Sequence, residues 1–468
     1  MSLVSKLKGK LRYGVGAVGL DLSYGMFYSY LSKYMTDILK LNNTFLLLLT
    51  PIARIWDGIN DPMMGTIVDN TRTKMGKYRP WVMIGACANA VILSLTFTDF
   101  GLSGAFVYIY IAFMYVAWGM TNTMADIPYW SMVPSFTNDP DERSIIATVA
   151  RTFSGLGQGI ISIGAPILIP LLSKTLDAEG NKVWDARGYS SLAIICGVCL
   201  IAFSLFSMSG VKETTVTAPK EKFSFKKIFL VIGKNDQLRI FMLFAMLSNA
   251  GFYMFSGVGA YFFDVSVGDT SAQSLFSTFQ AVGSILGLLV IPIMMKFTTR
   301  RRTYQFSLTL ALLSYIGMLV SFKVVGSIIL MDVFYLFGSI GTASMFVSQT
   351  VFLADIVDYG EVKLGTRYES VTFSMKGFLQ KMAYTIQTIL LFAGLGLSGY
   401  EYSTAHEYAL KTQNTVTALM LVVPILFMAL SLLVFSTKFK LHGEFMESIT
   451  AEVDKRKEER LAEKKIEA

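Results

Sequence analysis

The sequence predicts an all-α membrane protein of twelve transmembrane helices arranged as two six-helix bundles. Three observations carry that prediction. Hydrophobic residues make up 53% of the 468-residue chain and charged residues only 16%, against about 25% charge in soluble domains, too little to cover a water-facing surface. The apolar residues are gathered into about twelve stretches, each long enough at 1.5 Å per helical residue to cross a hydrocarbon layer of about 30 Å. Basic residues cluster in alternate gaps between these stretches, the pattern that topology imposes on a multi-pass chain.

In chain order, the first six spans fall at 13–36, 44–69, 80–98, 105–130, 145–173 and 189–210. The last six fall at 238–263, 272–296, 303–322, 326–354, 370–397 and 413–437. The expected organisation is thus a bundle at 1–210, a central loop at 211–237, a bundle at 238–437 and a charged tail at 438–468, helical at its start and frayed at its end. The N-terminus, the 70–79 gap (Arg72, Lys74, Lys77, Arg79), the central loop (Lys212, Lys220, Lys222, Lys226, Lys227), the Arg300–Arg302 run and the tail are all rich in Lys and Arg. That set belongs inside, so both termini are expected in the cytoplasm of a bacterial-type inner membrane.

The same arithmetic excludes other classes. A net charge of +8 would hint at nucleic acid in a soluble protein, but here the basic runs sit at span ends, and no nucleic-acid motif accompanies them. The cysteines Cys87, Cys196 and Cys199 lie in apolar stretches, so Cys196 and Cys199 read as small packing residues rather than a redox or metal pair. His406 and His442 both fall outside the spans, leaving no histidine metal site or Ser-His triad. With no nucleotide loop or nucleophile elbow either, the chain is not expected to be an enzyme. Its first apolar stretch is too long for a cleavable signal.

Charges inside spans are the informative residues, because each costs at least about 2.5–3.5 kcal/mol at bilayer depth and so needs a partner or a role. Asp57 and Asp61 stand one turn apart in Arg54-Ile55-Trp56-Asp57-Gly58-Ile59-Asn60-Asp61-Pro62, on one helix face. Two such carboxylates repel unless a cation lies between them or one takes a proton. Pro62 cannot donate to the carbonyl of Gly58, which predicts a bend and a free oxygen beside the pair. The competing reading is a kink whose acids are neutralised by Arg54. Farther on, Thr123 and Asp126 share a face and Trp130 follows one turn later; a carboxylate beside an indole suits a sugar. Asp21 supplies a second acceptor, with Tyr28 two turns on. Arg151 opens the fifth span, and Lys381 is a base within the eleventh. With Arg54 set aside, these four acids and two bases leave an excess that a monovalent cation, with some pKa adjustment, would balance. Asp355 and Asp358 are expected at a helix end.

The 65–79 gap, with Gly65, Asp69, Arg72, Gly76 and Lys77, resembles a cytoplasmic signature of the major facilitator superfamily. Trp56-Asp57 with Asn60-Asp61-Pro62, Asp126-Ile127-Pro128 with Trp130, and Asp358-Tyr359-Gly360-Glu361 resemble the glycoside–pentoside–hexuronide:cation symporters within it, over nearly the whole chain. The resemblance implies the major facilitator fold and import of a glycoside such as a galactoside by alternating access. It also implies a cation site at Asp57 and Asp61, with Asn60 and Thr123 beside it. Asp21 and Asp126, helped by Tyr28, Trp130 and Arg151, correspond to the sugar site, and Lys381 to a coupling residue between the two. No cofactor is implied beyond a coupling cation, Na⁺ or alternatively H⁺ or Li⁺. The expected partners are the sugar, that cation and the bilayer, and a monomer suffices. Leu20 departs from the lysine that melibiose-carrying members have before the same aspartate, which argues against melibiose itself, while Asp21 favours a neutral glycoside over a hexuronide. Within the same fold, a lipid or lysolipid carrier and a pentoside or hexuronide carrier are the alternatives.

Overall fold

The computed structural model describes residues 3–133, 136, 140–176, 180, 182–210, 225–366, 368–402 and 407–466. Among them the regular structure is helical throughout. The helices are α1 (Leu3–Lys33), α2 (Asn43–Asn70), α3 (Arg79–Thr96), α4 (Ala105–Ser131), α5 (Pro140–Leu172), α6 (Ala186–Ser209), the short α7 (Phe225–Lys234) and α8 (Asp236–Phe262). They continue with α9 (Ala272–Phe297), α10 (Arg300–Val320), α11 (Ile328–Leu364), α12 (Glu369–Ser398), α13 (Leu410–Thr417), α14 (Val423–Lys438) and α15 (Gly443–Ile466). Single π-helical turns extend α1 (Tyr34–Ile38), α8 (Phe263–Val267) and α10 (Ser321–Val325), and another joins α13 to α14 (Ala418–Val422).

Local chemistry sets the boundaries. Asn42, Asp185, Thr299 and Ser327 each accept a hydrogen bond from the first turn of the helix they precede, meeting an otherwise orphaned donor. Gly365 ends α11 in the left-handed region at φ +73°, where a side chain would be strained. By length and apolar composition, nine of the described helices qualify to cross a membrane. Although α1, α2 and α12 are 31, 28 and 30 residues long, they miss that threshold because polar and charged residues interrupt them. They are the helices that carry Asp21, Asp57, Asp61 and Lys381. Together with the nine candidate spans they make up the expected number of twelve among the described residues.

Several sequence expectations shift. Asp355 and Asp358 do not lie at a helix end, because α11 runs on to Leu364. At 37 residues it extends to about 55 Å, beyond the apolar layer, so its last turns can carry charge. Helix α5 begins at Pro140, ahead of its membrane span at Ile145–Leu172 in whose early turns Arg151 lies. The tail stays helical to Ile466. Lys212, Lys220, Lys222 and His406 lie outside the described residues.

One compact unit comprises Met1–Glu221, Ser256–Thr278 and Thr388–Val416; the other comprises Lys222–Phe255, Phe279–Gln387 and Thr417–Ala468. In the first, α1 packs against α5 and α6, and α4 against α2 and α3. Tyr13 and Tyr129 stack with centroids 4.5 Å apart, and each hydroxyl donates to the other's carbonyl. A Cβ on Gly85 would stand 2.5 Å from the Ala125 nitrogen, so only glycine permits this close approach of α3 to α4. In the second unit α10 packs on α11 and α14, and Gln349 joins Ser248 and Tyr304 at 3.1 and 3.3 Å. The tail helix α15 lies on α11, where Arg456 donates to the Glu361 carbonyl at 3.0 Å.

Candidate functional site

The acidic pair on α2 lies among neighbours from α1 and α4. Arg54, Asp57 and Asn60 are buried and Asp61 is half-buried. Arg54 lies 3.1 Å from Asp57 Oδ2 and also donates to the Tyr28 hydroxyl, with its guanidinium 4.3 Å from the Tyr28 ring. Thr123, on α4, donates to Asp61 Oδ1 at 3.1 Å. Gly119, one turn before Thr123, leaves room for Asp57 Oδ1: a Cβ there would stand 2.7 Å away. Arg54 thus forms an ion pair with Asp57. The Asn60 side-chain nitrogen is buried without a hydrogen-bond partner among the described residues.

Neighbouring layers hold the pair in place. Trp118 stacks on Phe27 with centroids 3.7 Å apart and the rings inclined by only 6°, and it meets Tyr28 edge-on at 5.4 Å. Asn89 accepts from Ser23 at 2.6 Å and donates to the Trp118 carbonyl and the Thr121 hydroxyl at 3.3 and 3.2 Å. It thereby fixes α1 and α3 to the turn of α4 that precedes Thr123.

The second cluster gathers the expected sugar residues from α1, α4 and α5. Trp130 donates from Nε1 to Asp126 Oδ1 at 2.9 Å, and the Arg151 guanidinium covers one face of its ring at 3.7 Å. A flat apolar surface could stack only on the opposite face. Asp21 lies near Ser154 and within electrostatic reach of Asp126 and Arg151. Tyr28 belongs instead with Arg54, beside the acidic pair. Lys381 is half-buried on α12 in the second unit, where its carbonyl accepts from Thr385 at 2.9 Å. A cavity of about 600 Å³ in that unit, lined by Arg300, Asp355, His442 and Asp454 among others, contains none of the expected site residues.

Sequence reasoning misses a third charged cluster, formed by Lys33, Asp37 and Asp264. Lys33 and Asp37 stand four residues apart at the end of the first apolar stretch, a spacing that could reveal them. Asp264 carries no local signal linking it to either.

Long apolar helices with charges gathered between them are the build of a multi-pass membrane transporter. Residues 12–443 match the family described as MFS/sugar transport protein, and the chain belongs to it. It is 28% identical to the raffinose carrier protein of Pediococcus pentosaceus, over 96% of this chain and 71% of that protein. It is 26% identical to the isoprimeverose transporter of Lactiplantibacillus pentosus, over 90% of this chain and 86% of that protein. Among solved structures, a D-xylose-proton symporter superimposes with a TM-score of 0.65 at 11% identity, covering 94% of this chain and 98% of that one. The nucleoside transporter NupG gives 0.61 at 13% identity over 92% of this chain and 100% of that one. These likenesses establish the major facilitator fold.

Proposed function

We propose that this protein is a cation-coupled sugar symporter that imports a glycoside, with both termini in the cytoplasm. The observation that carries the coupling is the carboxylate pair on α2: Asp57 and Asp61 share a face, and the hydroxyl of Thr123 is directed at Asp61. A monovalent cation or a proton would relieve the repulsion between them, and Asn60 and Thr123 would complete the ligand set. The Asp126–Trp130–Arg151 cluster, with Asp21 beside it, supports sugar binding through charged acceptors and the indole face opposite Arg151. Relatives named as raffinose, lactose and isoprimeverose carriers support a sugar as the substrate. Na⁺ is the proposed coupling ion. Binding of a radiolabelled galactoside to the purified protein is expected to strengthen when choline is replaced by Na⁺. Equal binding in the two buffers at several pH values would overturn the coupling.

A further inference from the structure

We propose that Lys33, Asp37 and Asp264 form a releasable ionic latch that holds the outer ends of α1, α8 and α12 together. It must come apart each time the carrier opens on that side. The inference rests on the carrier reading above and on its topology.

The geometry is specific. All three residues are at most 3% exposed. The Lys33 ammonium lies 2.7 Å from Asp37 and also bonds Asp264. Tyr400, beyond α12, donates to Asp37 at 2.7 Å, and Tyr408 donates to Asp264 at 3.1 Å. Thr36 joins Asp37 and the Tyr261 hydroxyl at 2.7 and 2.9 Å. Both carboxylates stand on π-helical turns, local distortions that recur at functional sites.

Physical chemistry separates a latch from a permanent anchor. A buried ion pair is commonly matched or surpassed in stability by apolar residues of similar volume, so holding these ends together does not require charge. Charge matters when the contact must open. Exposed to water, an ammonium and two carboxylates recover their hydration, whereas an apolar plug would resist exposure.

The test places a cysteine reporter, Ser29→Cys, at a position that is 6% exposed and one turn inward of Lys33. The background carries Cys87→Ser, Cys196→Ser and Cys199→Ser. A membrane-impermeant maleimide is added to intact cells. Lys33→Met leaves two carboxylates buried without their cation, and Asp264→Asn removes the ion pair that ties α1 to the end of α8; each weakens only the closed state and is expected to raise the labelling rate by about tenfold or more. The triple variant Lys33→Met, Asp37→Leu, Asp264→Leu is expected to label slowly, retain sugar binding after solubilisation and lose uptake. A merely structural cluster would leave uptake intact in that variant. Unchanged labelling in both single variants, or native uptake in the triple variant, would overturn the latch. Labelling is scored whether or not sugar is carried, so the latch and the symport reading fail separately.

Discussion

Gly119→Ala tests the acidic pair without removing a charge. The added methyl would stand 2.7 Å from Asp57 Oδ1 and 3.7 Å from its carboxyl carbon, so the carboxylate must retreat by about half an ångström. Retreat is opposed on the other side, where Arg54 lies 3.1 Å from Asp57 Oδ2. Overpacking of this kind costs about 1–3 kcal/mol. If Oδ1 must hold its place to bind the cation, that cost falls on the cation-bound state and weakens cation affinity by about 5–150-fold. The proposed sugar acceptors Asp21 and Asp126 are untouched. Calorimetric titration of sugar at rising Na⁺ should therefore show the half-effective Na⁺ concentration rising over that range, with near-native sugar affinity at saturation. Gly58→Ala is the control: it adjoins Asp57 in sequence, but its new Cβ meets nothing within 4 Å. Alanine there should leave cation dependence unchanged. A native Na⁺ response in folded Gly119→Ala would refute the reasoning.

Asp57→Asn and Asp61→Asn should each abolish cation-stimulated uptake, measured as Na⁺-dependent accumulation in cells, while leaving some sugar binding to the purified protein. Asp21→Ala or Asp126→Ala removes a charged acceptor at a cost of about 2–4 kcal/mol, at least tens-fold in affinity, so calorimetry at saturating cation should show weakened sugar binding. Burial raises the Asp185 pKa, but backbone donors at Gly188, Lys174 and Thr175 outweigh it and hold the group below its ordinary value. Its stabilisation is therefore present at neutral pH and lost as pH falls through the lowered pKa; Asp185→Asn should flatten the acid limb of a thermal-stability profile.

Much of this architecture is legible in the sequence because lipid makes hydrophobicity a nearly direct reading of helix position. The acidic pair is legible too, since Asp57 and Asp61 share a face by spacing alone, and family resemblance puts Thr123 beside them. What stays hidden depends on contacts distant in sequence. Nothing near Asp264 announces a lysine 231 positions away, and nothing near Arg151 announces that it covers Trp130. Helix ends escape for a related reason. The apolar signal in α11 stops near residue 354, whereas backbone hydrogen bonding continues to Leu364.

The central claim is coupling between a cation on α2 and a sugar at Asp21 and Asp126, and the direct measurement is reciprocity. Sugar affinity is measured with and without Na⁺, and Na⁺ affinity with and without sugar, on the same purified protein. Linkage requires the two ratios to be equal, and a typical coupling of about 1–3 kcal/mol makes each roughly 5–150-fold. Lys381→Ala should reduce both ratios together. Equal ratios well above one are the predicted result, and ratios of one in the unmutated protein would contradict the account.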